Sequence, residues 1–205
     1  WVTIILSKLS LVGREGNPDN GQLIAIAGSG LVAGLATAFS TSIWFSAVEG
    51  EVYAMSTFFT ALTLWATIHW YAQPDEHKYD RWLIFAIYSA GLSVGVHLLS
   101  ILTFPALAFF FYLKRYSRHT FWGMVAAAGV GVLLVFGIQT FIVAGLPRLW
   151  GMFELLMVNG LGLPFNSGLI PLLLLLIGGV VYGLRYAEKK QNPTLQNAIV
   201  AVALL

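Results

Sequence analysis

The chain has 205 residues, of which 58% are hydrophobic and 10% are charged, and its mean hydropathy is +0.80. A soluble domain of this length carries about 25% charged residues, so the composition excludes an ordinary soluble domain and indicates a polytopic membrane protein. The net charge of +2 is too small to indicate a nucleic-acid partner, and the absence of cysteine excludes disulfides, thiolate metal sites and a cysteine nucleophile.

Apolar segments separated by short polar loops predict an all-α, polytopic transmembrane helix bundle, with a single domain over residues 1–205. Because the sequence begins and stops inside apolar runs, at Trp1 and Leu205, we expect an internal fragment of a longer membrane protein. In chain order, helices are predicted at about 1–12 (truncated), 22–41, 51–71, 82–94, 98–113, 121–146, 169–184 and 195–205 (truncated), with an interfacial segment at 147–168.

The segment Trp82–Leu113 carries no acidic or basic side chain apart from His97. As one helix it would be about 48 Å long, well over the roughly 30 Å hydrocarbon core of a bilayer. Gly91, Ser93 and Gly95 weaken the helix midway. The segment therefore predicts a short-helix hairpin around 82–113, with two helices that meet near Gly95–His97 beside protein or water.

The distribution of Lys and Arg predicts the orientation. If the hairpin counts as two passes, one side of the membrane holds every Lys and Arg of the chain except Arg148. By the positive-inside rule, this side is cytoplasmic. Its loops are at 8–20, 73–81, 114–120 and 185–194. The opposite side then collects Glu49, Glu51, His97, Arg148 and Glu154, and these residues predict a reaction chamber that faces away from the cytoplasm.

Two carboxylates, Glu49 and Glu51, lie between long apolar segments. Ionisable groups at membrane depth are costly and usually functional, so we predict Glu51 as a catalytic residue and Glu49 as a substrate-binding residue. Alternatively, both are interfacial acids near a helix N-terminus, where the macrodipole favours negative charge. Tyr53 is expected to point with them into a substrate-binding site. Trp44 is expected to stack on a sugar or lipid head group, unless it is an interfacial aromatic residue.

His97, at the predicted apex of the hairpin, is the second catalytic candidate. With Glu51 it would form an acid–base pair or two ligands of a divalent metal, although no spacing in the chain matches a metal signature. Alternatively, His97 is a hydrogen-bonded packing residue. Arg148 is expected to bind a phosphate of the substrate, or else to snorkel at a helix end. The sequence contains no P-loop, dinucleotide fingerprint or serine nucleophile elbow.

Two motifs carry a family resemblance: Trp-Phe-Ser-Ala-Val-Glu-Gly-Glu-Val-Tyr-Ala at 44–54 and Gly-Leu-Ser-Val-Gly-Val-His at 91–97. In this order and separation they resemble the DUF2723 family of bacterial membrane proteins, which is related to TMEM260-type protein O-mannosyltransferases. The resemblance covers about residues 1–115, and the remainder is similar only in hydropathy. Glu51 and His97 match positions of the family motifs.

The resemblance implies a GT-C-type glycosyltransferase that transfers a sugar from a lipid-phosphate-linked donor to a protein or other acceptor. It implies a bacterial inner-membrane location, a site that faces the periplasm, contact with membrane lipid and no nucleic-acid partner. It implies no certain cofactor and leaves a divalent metal open. GT-C enzymes carry their main catalytic carboxylate in the first outer loop, which we expect to lie upstream of Trp1.

Two other functions stay open from the residues alone. Broken helices and embedded ionisable groups suit a secondary transporter, although no inverted repeat is visible in the sequence and the ionisable groups cluster at one face. A noncatalytic membrane scaffold would use small-residue helices, such as the one that contains Gly28, Gly30 and Gly34, to pack against a partner.

Overall fold

The computed structural model describes residues 1–13, 16–49 and 52–205. These residues form helices, with no strand among them, which confirms the predicted all-α helical membrane bundle. Four helical segments of the described chain are long and apolar enough to cross a membrane: Asn20–Ala38, Leu98–Arg115, Phe121–Gly160 and Leu169–Lys189. The α-helices are α1 (Val2–Leu11), α2 (Asn20–Ala38), α3 (Thr41–Val48), α4 (Val52–Ala72), α5 (Asp80–Val96), α6 (Thr103–Arg115), α7 (Phe121–Gly137), α8 (Gly145–Leu155), α9 (Leu169–Lys189) and α10 (Pro193–Ala203).

The first complete span begins at a polar residue and ends earlier than predicted. Asp19 and Gln22 form a capping box in which each side chain accepts a hydrogen bond from the other residue's backbone N–H, and α2 therefore begins at Asn20. The helix predicted to reach residue 41 ends instead at Ala38, because Ser40 has extended backbone and starts the short helix α3.

Small and hydroxyl side chains line the contact between α4 and α5. Alanine, serine and threonine side chains at such a contact let two helix backbones approach closely. The buried residues of this kind are Thr63, Ala66 and Thr67 on α4 and Ala86, Ser89, Ala90 and Ser93 on α5. Ala66, Ala86 and Ala90 join Phe104 and Leu107 of α6 in the apolar core, so the three helices form one packed unit.

The predicted hairpin is confirmed. α5 ends at Val96, His97 has extended backbone, and a 3₁₀ turn at Leu98–Leu102 leads into α6. The chain reverses at this turn. The reversal is shown by Arg115 at the end of α6, which hydrogen-bonds to Asp80 at the start of α5 with an N–O distance of 2.6 Å. α4 lies beside both helices, so the hairpin has an apex at His97 and an open end at Asp80.

The helix after the hairpin continues into the segment that was predicted to be interfacial. A continuous helical segment covers Phe121–Gly160, with π-helical turns at Ile138–Val143 and Leu156–Gly160. The predicted interfacial segment 147–168 is therefore helical up to Gly160. α8 begins just after the first π-helical turn. Pro147 is tolerated because it lies in the first turn of α8, where its missing N–H is not needed.

Candidate functional site

His97 interrupts the hairpin at its apex. Its backbone is extended (φ −149°, ψ 119°), and it forms the N-cap of the 3₁₀ turn that follows. The ring Nδ1 accepts a hydrogen bond from the backbone N–H of Leu99 at 3.3 Å. A neutral imidazole whose Nδ1 is an acceptor carries its proton on Nε2. In this tautomer His97 presents an Nε2–H donor, while its other nitrogen holds the local backbone.

Tyr53 and His97 come together although they lie on different helices. Tyr53 is in the first turn of α4, and its ring lies 5.4 Å from the imidazole, centroid to centroid, at an angle of 43°. A second contact fixes this alignment, because the hydroxyls of Ser56 and Ser100 are 2.9 Å apart. Tyr53 is half exposed and His97 is partly buried, so both rings border an accessible surface.

The neighbouring helix α3 carries two further sequence candidates on an exposed face. The Trp44 indole Nε1 donates to the carbonyl oxygen of Ala38 at 2.7 Å, so this ring helps to hold α3 against the end of α2. Glu49 ends α3 and is exposed. Glu51, the first catalytic candidate, lies outside the described residues. The structure therefore joins Tyr53 to His97 and leaves Trp44 and Glu49 on an exposed helix nearby in the chain.

The comparison with known families decides the identity of this region. A family model described as the protein O-mannosyl-transferase TMEM260 N-terminal domain matches residues 1–120. The chain belongs to this family. No curated protein and no solved structure gives a significant match. Membership in the TMEM260 family indicates a membrane glycosyltransferase that acts on protein acceptors.

The TMEM260 domain contains the hairpin, α4 and the Tyr53–His97 pair, whereas Arg148 lies beyond the matched residues. Arg148 is exposed on α8, and no hydrogen bond, ion pair or ring contact of the described chain joins it to Tyr53 or His97. The other ionisable residue of that helix has a local role. The carboxylate of Glu154 accepts hydrogen bonds from the N–H groups of Asn166 (2.6 Å) and Gly168 (2.9 Å) and so closes the turn before α9.

Within residues 1–13, 16–49 and 52–205, no three His, Asp or Glu side chains gather in an arrangement that could hold a metal ion. The contacts of the His97 ring are the Tyr53 ring and the backbone N–H of Leu99, while the hydroxyls of Ser56 and Ser100 pair with each other. These groups suit hydrogen bonding and stacking with a sugar or a phosphate ester.

The open end of the TMEM260 hairpin has a buried polar centre that the sequence did not reveal. The Asp80 carboxylate is almost fully buried and accepts four hydrogen bonds, which tie α4, α5, α6 and α10 together. Its donors are Trp70 Nε1 (3.2 Å), His77 Nδ1 (3.1 Å), Arg115 (2.6 Å) and Asn197 Nδ2 (3.1 Å).

The environment of Asp80 shifts its pKa. Burial alone raises the pKa of a carboxyl, but the hydrogen bonds from His77 and Trp70 and the Arg115 charge outweigh it, so the pKa of Asp80 lies below its ordinary value. Asp80 falls in the predicted polar loop 73–81, and nothing next to it in the sequence marks it as buried. One sequence feature could have indicated this ion pair: an acid at the start of the first helix of the hairpin and an arginine at the end of the second.

Proposed function

We propose that the protein transfers a sugar from a lipid-phosphate-linked donor to a Ser or Thr hydroxyl of a protein on the non-cytoplasmic side of the membrane. The observation that carries this proposal is the Tyr53–His97 contact at a break in a membrane hairpin, inside the matched TMEM260 domain. Both residues lie in the two sequence motifs on which the resemblance rests, and the fold brings these motifs to one place.

The distribution of charge supports the proposed side. Asp80 and His97 stand at opposite ends of α5, about 25 Å apart along the helix axis. Lys114 and Arg115 belong to the Asp80 end, as their contacts with Trp70 and Asp80 show. Because basic residues mark the cytoplasmic side, His97 and Tyr53 belong to the opposite face, which is the periplasmic face if the protein comes from a bacterial inner membrane.

The proposed reaction is a displacement at the anomeric carbon. A carboxylate takes the proton of the acceptor hydroxyl, the new bond forms between that oxygen and C1, and the bond from C1 to the phosphate oxygen breaks. The lipid phosphate leaves with the electron pair. Glu51 is the candidate carboxylate of this chain, in addition to any carboxylate in an upstream outer loop.

His97 and Tyr53 have different parts in this proposal. The Nε2–H of His97 donates to the departing phosphate or to a sugar hydroxyl, which stabilises charge that develops on the leaving group. The half-exposed ring of Tyr53 offers an aromatic surface to the sugar. Glu49 and Trp44, on the exposed helix α3, would contact the acceptor or the lipid head group at the rim.

A pair of substitutions separates this role of His97 from its role as a cap. Asparagine is a good N-cap residue, so His97→Asn keeps the turn but loses the ring donor, whereas His97→Ala loses both. We expect both variants of the full-length protein to fold and to lose transfer of mannose from polyprenyl-phosphate mannose to a peptide by about 100-fold or more.

His119→Ala is the matched control, because His119 lies at the other end of the hairpin, after α6. It should leave sugar transfer unchanged. Normal transfer by His97→Asn would show that His97 is only a cap and would contradict the proposal. Uptake of a solute by reconstituted protein that transfers no sugar would instead favour a transporter.

A further inference from the structure

The segment of residues 145–168, which joins α7 to α9, lies on the side of the membrane that His97 faces. The position of α9 gives this result. Only residues 190–192 separate the end of α9 from α10, and Asn197, near the start of α10, donates to the Asp80 carboxylate at 3.1 Å. As a membrane-spanning helix, α9 therefore ends near the open end of the hairpin and begins near the opposite side.

α7 also begins at the open end, but the helix that follows is too long to continue straight across the membrane. The backbone N–H of Thr120 donates to the Tyr112 hydroxyl near the end of α6 at 3.1 Å. A straight helix from Phe121 would place Glu154 about 50 Å away. However, Glu154 accepts a hydrogen bond from the N–H of Gly168 at 2.9 Å, directly before α9, and the 21 residues of α9 cover only about 31 Å. The two paths meet because the long helix changes direction before Glu154.

The π-helical turn at Ile138–Val143 is the place for this change of direction, since π segments are a recognised cause of helix kinks. From Phe121 to Val143 the helix covers about 33 Å, close to the thickness of the hydrocarbon core. α8 therefore runs along the boundary of the membrane. It lies close to the level of His97, which is about 25 Å from Asp80 along α5.

α8 presents an exposed apolar face with one charge at its edge. Arg148, Met152 and Leu155 are spaced i, i+4 and i+7, so they share one face of the helix, and all three are exposed. Glu154 is the other ionisable residue of the segment, and its carboxylate is held by the N–H groups of the turn before α9. A helix with an apolar face and a basic residue beside it is typical of the boundary between head groups and acyl chains.

The exposed apolar surface continues from the membrane-spanning helices into this segment. Phe141 precedes α8, Phe165 lies in the turn after it, and Ile170 begins α9, and each of these side chains is more than half exposed. The bilayer covers the exposed apolar side chains of α7 and α9. The same surface continues over Met152 and Leu155, and this continuity selects the bilayer as the partner rather than water or a soluble protein.

We infer that residues 145–168 form an interfacial element that binds the lipid surface on the His97 side of the membrane. Met152 and Phe165 enter the outer part of the acyl chains, and the Arg148 guanidinium reaches the phosphates while its stem stays on the apolar surface. The element goes beyond the proposed sugar transfer and does not depend on it.

Spin labels test the depth of the segment. Residues 1–205 contain no cysteine, so Met152→Cys and Phe165→Cys provide single labelling sites in the full-length protein once any cysteine outside this range is replaced by serine. In vesicles of dioleoyl phosphatidylcholine we expect both nitroxides to lie about 5–10 Å below the phosphates, measured by collision with oxygen and with a water-soluble nickel complex.

Two exposed positions calibrate this measurement. Leu174→Cys, in the middle of α9, reports the hydrocarbon core, and Glu76→Cys, in the polar loop before α5, reports water. Exposure to nickel at Met152→Cys equal to that at Glu76→Cys would place the segment in water and overturn the inference. Protection from both oxygen and nickel would overturn it as well, because protein would then cover the face. A depth equal to that of Leu174→Cys would contradict the change of direction.

The role of Arg148 is tested by reversal of its charge. Arg148→Asp places a carboxylate beside the lipid phosphates, so the label at Met152→Cys should shift toward water. Arg118→Asp makes the same change at an exposed position in the loop after α6 and should leave this label where it is. Equal label depths with Arg148→Asp and Arg118→Asp would contradict the contact between Arg148 and the head groups.

Discussion

Arg115 donates a hydrogen bond to Asp80 across the open end of the hairpin, with an N–O distance of 2.6 Å, although 35 positions separate the two residues. The same guanidinium contacts Asp75, and Asp80 also accepts from α4, from the turn at His77 and from α10. The ion pair therefore joins the start of α5 to the end of α6, and the other donors to Asp80 connect this point to α4 and α10.

Loss of the arginine should destabilise the bundle. Arg115→Leu leaves a buried carboxylate with three donors and no compensating charge, and removal of one partner of a buried pair costs about 3 kcal/mol or more. Thermal unfolding in detergent should show a clearly lowered midpoint. Asp80→Asn combined with Arg115→Leu should recover part of the loss, because the unpaired charge is then removed.

The matched surface control is Lys78→Ala. Lys78 pairs with Glu76 at 2.7 Å, but both side chains are largely exposed, so the midpoint should stay within the error of the measurement. A loss for Lys78→Ala equal to that for Arg115→Leu would show that general surface charge, rather than closure of the hairpin, sets the stability.

Acid should weaken the same closure. Because the pKa of Asp80 in the folded protein lies below its ordinary value of about 3.9, the unfolded chain takes up this proton first as the pH falls. The stabilisation is fully present above about pH 4 and is lost as the pH drops through the folded-state pKa. Unfolding midpoints measured from pH 7 to pH 3 should fall at the acid end, and less steeply for Asp80→Asn than for the unsubstituted protein. The same acid slope in both proteins would contradict the assignment.

Two glycines of α7 should respond in opposite ways to alanine. A Cβ on Gly131 would lie 2.5 Å from the Cα of Pro105 on α6, whereas a Cβ on Gly129 would meet none of the described residues within 4 Å. We expect Gly131→Ala to lower the free energy of unfolding by about 1–3 kcal/mol, because the two helices must move apart. Gly129→Ala should leave it unchanged or raise it by up to about 1 kcal/mol. Equal effects in denaturant titrations would mean that α6 and α7 do not pack at Gly131.

Glu154 should matter for the turn before α9. Glu154→Ala removes the acceptor of two backbone N–H groups, one of them on Asn166, whose φ is 70°. We expect a loss of about 1–2 kcal/mol and faster proteolysis within residues 161–168. Arg148→Ala, on an exposed position of the same helix, is the control and should leave both unchanged. An unaltered cleavage rate for Glu154→Ala would contradict the assigned role of Glu154 in the turn.

Much of the fold follows from local properties of the sequence. Hydropathy predicts the helices, and the excess length of the apolar segment at 82–113, together with His97 in its middle, predicts the hairpin. The contacts between helices are harder to predict from the sequence. Gly28, Gly30 and Gly34 predict close approach on α2. Among the described residues, however, a Cβ at Gly30 would meet Ile4, whereas a Cβ at Gly28 or Gly34 would meet nothing within 4 Å.

The candidate site also has features that follow from the local sequence and features that depend on the tertiary structure. The sequence by itself determined that His97 interrupts an apolar segment and that Tyr53 begins the preceding helix, because charge and hydropathy are properties of neighbouring residues. Only the tertiary structure decided that their rings lie 5.4 Å apart and that Asp80 receives four donors from distant parts of the chain. The register of one helix against another depends on which small and hydroxyl side chains pack together, as Ser56 and Ser100 do, and this choice is made between segments that are far apart in sequence.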